Sequence, residues 1–202
     1  MFAAKVAIFS NMYKKVQKKN FFSFAFRWFF RTFAFAKRRN FASWNMKTGL
    51  FTGTFDPFTI GHDSIVRRAL PLFDRLVIGV VGDNVNKPGM TPVLERMEAI
   101  ERLYADEPRI EVKPYYGLAV ALARTEGAHF IVKGVRSVKD YEYEREQAEV
   151  NRLISKGEVE TILFFAEPHL ASISSSTVRE LEHFGLDASA LVAAAPVKEQ
   201  SI

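Results

Sequence analysis

From residue 46 onward, short apolar β-rich runs alternate with segments of helical spacing about five times. This rhythm narrows the possible folds more than any other feature of the chain. Strands separated by helix-length connections pair in parallel, because an antiparallel hairpin needs only a short turn. The run Leu76-Val77-Ile78-Gly79-Val80-Val81 is continuously apolar. A strand of that kind is covered on both faces, with helices as the cover. Further strands are predicted at Leu50-Phe51 (the end of a short first strand), Ile110 to Lys113, Phe130 to Val132 and Thr161 to Phe165. Helices are predicted over His62 to Phe73, Leu94 to Tyr104, Leu118 to Thr125, Tyr141 to Ser155 and Ser176 to Phe184, with a last one over Ala188 to Ala195. Gly127, Gly157 and Gly185 stand where helices end. The expected architecture is α/β: a doubly wound five-stranded parallel sheet forming a single domain over residues 46–202.

In such sheets ligands bind beyond the carboxyl ends of the strands, where strand order reverses. Three junctions there are unusually polar. After strand one comes Gly53-Thr54-Phe55-Asp56-Pro57-Phe58-Thr59-Ile60-Gly61-His62. Its glycines permit close backbone approach, and His62 opens a helix, where N–H groups and the helix dipole favour phosphate. A lone His at such a position is more often a cap or a satisfied surface residue. After strand four comes Lys133-Gly134-Val135-Arg136, followed by Asp140-Tyr141-Glu142-Tyr143-Glu144. Two cations flanking a glycine suit a polyphosphate, although each cation alone fits an ordinary solvated turn. After strand five comes Leu170-Ala171-Ser172-Ile173-Ser174-Ser175-Ser176-Thr177-Val178-Arg179. Three serines entering a helix supply N-caps and orphan backbone N–H groups together, an anion nest, whereas simple capping needs only one. A weaker fourth feature is Lys87 in Asn86-Lys87-Pro88, after strand two.

The first segment resembles the T/H-x-G-H signature of the nucleotidyltransferase superfamily. Taken with the other segments, nearly all of residues 46–190 is similar to the bacterial phosphopantetheine adenylyltransferases. That resemblance implies a Rossmann-like nucleotidyltransferase fold and transfer of an adenylyl group from ATP to 4′-phosphopantetheine, giving dephospho-coenzyme A and pyrophosphate. It implies ATP contacts from Thr54, Phe55, His62, Gly134, Val135, Arg136 and Glu144, and from the stretch Leu170, Ala171, Ser172, Ile173, Ser174, Ser175 and Ser176. It implies acceptor contacts from Thr54, Lys87, Ala119 and Lys133. His62, Thr54, Lys87 and Arg136 would carry catalysis, with Mg²⁺ on the phosphates and no metal-binding residues of the protein's own. A cytoplasmic homohexamer subject to feedback by coenzyme A follows from kinship alone. Two departures from the family pattern stand out: Lys133 replaces the usual Arg, and Pro88 replaces a common second basic residue. Related enzymes acting on nicotinamide mononucleotide, or transferring cytidylyl groups, share the Gly-His and serine elements. The run from Lys133 to Glu144 argues against them. No G-x-G-x-x-G follows the first strand, which removes a generic dinucleotide binder.

Composition matters chiefly for what it hides. The net charge is +5, but residues 1–45 hold ten Lys/Arg and no Asp/Glu, leaving 18 of the 28 basic residues against all 23 acidic ones in the remainder. The basic balance therefore belongs to the leader, and a nucleic-acid reading of the whole chain would be an error of averaging. With no cysteine, disulfides, thiolate metal sites and cysteine nucleophiles are excluded. Within the leader, Arg27 and Arg31 interrupt the apolar run, which argues against a membrane span. Four readings of its basic and aromatic residues compete: an interfacial helix, a targeting peptide, a single-strand nucleic-acid binder, or text upstream of a true start at Met46. The last is the expectation, with no fold assigned there and neither nucleic acid nor membrane as partner.

Overall fold

The computed structural model describes residues 46–82 and 89–194. Lys87, Pro88 and the leader lie outside them, as does Ala195. Strands and helices alternate as the periodicity predicts: β1 (Thr48–Gly53), α1 (Ile60–Ala69), β2 (Arg75–Val81), α2 (Val93–Leu103), β3 (Ile110–Tyr115), α3 (Ala119–Glu126), β4 (Phe130–Val135), α4 (Val138–Ser155), β5 (Glu160–Phe165) and α5 (Ser175–His183). All strand pairs are parallel, in the order β3-β2-β1-β4-β5. The chain winds outward from β1 through β2 to β3, then returns to lay β4 and β5 on the other side. The reversal falls between β1 and β4, and this opens a crevice at their carboxyl ends.

Successive residues of the inner strands serve opposite faces. Phe51, Ile78 and Val132 join one core with Ile65, Val66 and Ala69 of α1 and Ile100 of α2. Leu50, Val77 and Ile131 join a second core with Val120 and Ala123 of α3. Leu50, Val77, Ile78, Ile131 and Val132 are all fully buried. Side chains of this kind each contribute about 1.5–3 kcal/mol when removed from water. The double cover explains why β2 reads as an unbroken apolar run.

The elements differ from the sequence expectation where tertiary pairing decides. β1 runs on to Gly53 rather than closing on Leu50-Phe51, because Thr52 and Gly53 pair with Gly79 and Val80. α1 stops at Ala69 and continues as a 3₁₀ turn, Leu70–Leu72, since Pro71 cannot extend an α-helix. β3 runs through Pro114 to Tyr115, which an edge strand tolerates. β4 extends to Val135, so Lys133 and Gly134 are strand residues paired with Leu163 and Phe164, not a turn beyond the strand. α4 begins at Val138, three residues early, because the Asp140 N–H donates to Ser137 Oγ at 3.1 Å as an N-cap. The predicted last helix is absent from the described residues. Ser189–Leu191 forms a single 3₁₀ turn. Val192 then bridges Thr59, and the Ala193 N–H donates to Phe58 O at 3.0 Å. Pairing with the 58–59 backbone outweighs the helix propensity of alanine. No helix among the described residues is long and apolar enough to cross a membrane.

Candidate active site

A cleft of about 430 Å³ lies at the carboxyl ends of β1 and β4. It brings together Thr54, Phe55, His62, Lys133, Gly134, Val135, Arg136, Glu144, Leu170, Ile173, Ser174, Ser175 and Ser176, from segments far apart in the chain. Helices α1, α4 and α5 all contribute residues of their first turns or caps to the lining: Thr59, Gly61 and His62; Asp140; and Ser174 to Ser176. Helix N-termini present N–H groups and positive dipole ends, so their convergence favours an anion.

The β1–α1 loop orients His62. Thr59 caps α1, and His62 closes a reciprocal capping box: the Thr59 N–H donates to His62 Nδ1 at 3.0 Å, and the His62 N–H donates to Thr59 Oγ1 at 3.4 Å. With the Nδ1 lone pair accepting a backbone N–H, the neutral ring carries its proton on Nε2. Phe55 and Phe58 flank the imidazole, with ring centroids at 5.1 and 5.3 Å. His62 is thus a cap and a cleft residue at once. Phe55 is only 2% exposed and folds back over Gly53, where a Cβ would stand 2.7 Å from its ring. The loop presents backbone to the cleft, with the phenyl ring packed beneath.

From β4, the Lys133 ammonium donates to Thr52 O at 3.3 Å and lies 3.7 Å from Glu144 Oε2. That carboxylate oxygen is buried and makes no hydrogen bond. Arg136 pairs with Asp140 at 2.9 Å and donates to Ile173 O at 3.3 Å, strapping the end of β4 to the entry of α5. Each acid of the cleft is therefore offset by a cation. Tyr115, at the end of β3, also lines the cleft. Burial raises its phenol above the ordinary value, so it remains neutral.

In the serine segment the hydroxyls are engaged within the protein. The Thr177 N–H donates to Ser174 Oγ at 3.0 Å, Ser175 Oγ donates to Pro57 O at 2.9 Å, and Ser176 Oγ accepts from Arg179 at 3.3 Å. Arg179 also donates to Asp56 O. The hydroxyls cap the helix and tie α5 to the β1–α1 loop. The anion-binding capacity then rests on first-turn backbone N–H groups.

Three expected residues stand outside the lining. Ala119 opens α3 and packs partly buried against the second core. Ala171 and Ser172 lie between Leu170 and Ile173, which face inward because the Ile173 N–H closes a turn onto Leu170 O at 3.0 Å. Lys87 falls outside the described residues. Sequence reasoning missed Tyr115 and Arg96. Tyr115 lies beyond the strand predicted over Ile110 to Lys113, and Arg96 lies within the helix predicted over Leu94 to Tyr104, with no motif marking either.

The doubly wound sheet, the crevice at its switch point and this anion-directed lining are what a nucleotidyltransferase requires. The Cytidylyltransferase-like family matches residues 50–181. A phosphopantetheine adenylyltransferase of Phocaeicola vulgatus is 51% identical over 142 residues, spanning 70% of this chain and 92% of its own length. One of Bacteroides fragilis is 48% identical over 147 residues, spanning 73% and 96%. The chain belongs to the phosphopantetheine adenylyltransferase family. The solved bifunctional NMN adenylyltransferase/ADP ribose pyrophosphatase of Francisella tularensis superposes with a TM-score of 0.56 at 15% identity, over 75% of this chain and 46% of that one. At that identity the likeness concerns the fold alone.

Proposed function

We propose that this protein transfers the adenylyl group of ATP to 4′-phosphopantetheine, forming dephospho-coenzyme A and releasing pyrophosphate. The reading rests on one observation above others: His62, Arg136 and the entry of α5 line a single cleft in a chain of this family. An acceptor phosphate oxygen attacks the α-phosphorus in line, and the bond to the bridging oxygen of pyrophosphate breaks. A phosphate is already an ionised nucleophile, so the reaction asks for positioning and charge stabilisation, with no general base.

The residues divide the work accordingly. Thr54 and Lys133, with Lys87, orient the acceptor phosphate. The Nε2–H of His62 stabilises charge on the α-phosphoryl group as it becomes crowded. Arg136 and the first-turn N–H groups of α5 hold the departing pyrophosphate, and Gly134, Val135 and Glu144 border the nucleotide. Magnesium arrives on the triphosphate as part of the substrate in this reading, where it neutralises charge. A cytoplasmic homohexamer belongs to the same reading, and sedimentation velocity on the full chain checks the assembly.

Incubation with MgATP and phosphopantetheine is expected to yield dephospho-coenzyme A and pyrophosphate in equal amounts. Nicotinamide mononucleotide in place of the acceptor, or CTP in place of ATP, is expected to give little turnover. Faster pyrophosphate release with either substitute would assign a different reaction to the same site.

A further inference from the structure

Arg96 projects inward from the first turns of α2 until only 4% of the residue is exposed. Its guanidinium reaches three backbone carbonyls: Nε donates to Thr91 O at 2.7 Å, Nη2 to Val81 O at 3.0 Å and Nη1 to Thr54 O. Among the described residues it forms no ion pair. Burial of this kind pushes the guanidinium below its ordinary value, partly countered by the charge of Asp56.

A buried charge of this sort is a weak source of stability, since an apolar side chain of similar volume often serves as well. Its particular capacity is geometric. A planar fork can hold three fixed carbonyls at once, which neither an apolar group nor a lysine ammonium reproduces. Those carbonyls come from the loop after β1, the last residue of β2 and the approach to α2. Two of them stand at strand ends beside a cleft built for polyanions, where their negative dipole ends are covered by the guanidinium. Arg96 is absent from the cleft lining and borders a separate cavity behind the Phe55–Phe58 loop. Any effect on the reaction therefore passes through the backbone it holds.

We propose that Arg96 is a positioning residue for adenylyl transfer: it fixes the backbone of Thr54 and so the orientation of the acceptor phosphate. The proposal rests on the adenylyl-transfer reading above. Displacing a reacting group by about 1 Å costs on the order of a hundredfold in rate.

The test uses the full chain as wild type, Arg96→Met and Arg96→Lys, with thermal unfolding, ATP affinity by calorimetry and steady-state kinetics with phosphopantetheine. Arg96→Met is expected to keep ATP affinity within about threefold while kcat falls by roughly tenfold to a hundredfold and the acceptor KM rises. Arg96→Lys is expected to fall between. A folded Arg96→Met, or Arg96→Lys where the former does not fold, with kcat and acceptor KM near wild type would overturn the proposal. Equal losses of turnover and ATP affinity would do the same, as would failure of both variants to fold, because each assigns Arg96 to the fold alone. Absence of turnover by the wild type is a separate result and counts against the adenylyl-transfer reading itself.

Discussion

Replacing His62 with alanine is expected to lower kcat by about a hundredfold to a thousandfold, the scale seen when one preorganised donor to a charged transition state is lost. ATP should still bind, because in the proposed reading the pyrophosphate end is assigned to Arg136 and the first turn of α5. The substitution has a second effect, since Nδ1 accepts the Thr59 N–H in the capping box of α1. Losing a cap partner costs about 0.5–2 kcal/mol, so alanine should also lower the unfolding temperature. His62→Asn separates the two roles. Its side-chain oxygen can take over the acceptor position of Nδ1, but nothing replaces the donor at Nε2. Stability should return toward wild type while turnover stays low. Near-normal kcat in a folded His62→Ala variant would remove His62 from the chemistry and leave it as a cap.

Gly61→Ala is expected to move stability and binding in opposite directions. Gly61 is the second residue of α1, and a Cβ there would lie 3.6 Å from Thr59 Oγ1 and 3.8 Å from Ile173 O, both ordinary contacts. Its φ lies outside the left-handed region, so neither steric crowding nor backbone conformation requires glycine. Alanine in a helix is favoured over glycine by roughly 0.5–1 kcal/mol, and the variant should unfold at a slightly higher temperature. Gly61 nonetheless lines the cleft between Thr59 and the entry of α5. If the missing side chain makes room for a phosphate, ATP affinity should fall by about tenfold or more, equivalent to ~1.4 kcal/mol. Gly61→Val should fall further. Calorimetric titration of the stabilised variant showing unchanged ATP affinity would mean that the phosphates lie elsewhere.

How far the site could be read from the sequence depended on whether a residue's neighbours in space were also its neighbours in the chain. Thr59 and His62 are three apart, so a cap at the start of α1 was readable directly. Ser174 and Thr177 were readable in the same way. Arg96 was not, because the carbonyls of Thr54 and Val81 lie 42 and 15 residues away. The partners of the serine hydroxyls were not readable for a similar reason. Ser175 donates to Pro57, 118 residues distant, and Ser176 accepts from Arg179, which also reaches the carbonyl of Asp56. A run of serines states what can hydrogen-bond without stating which partner is in reach.

By itself the sequence determined the class of fold, because alternating periods of apolar residues leave few ways to cover a parallel sheet on both faces. It also determined which polar segments end the strands, since each follows an apolar run directly. Only the tertiary structure decided that β4 runs on through Lys133 and Gly134, that the alanine-rich tail pairs with the 58–59 backbone, and that Arg96 lies beneath the β1–α1 loop. The physical reason is common to all three. Hydrogen bonds between distant segments outweigh local propensities of about a kilocalorie per mole or less, and those partners exist only once the chain has folded.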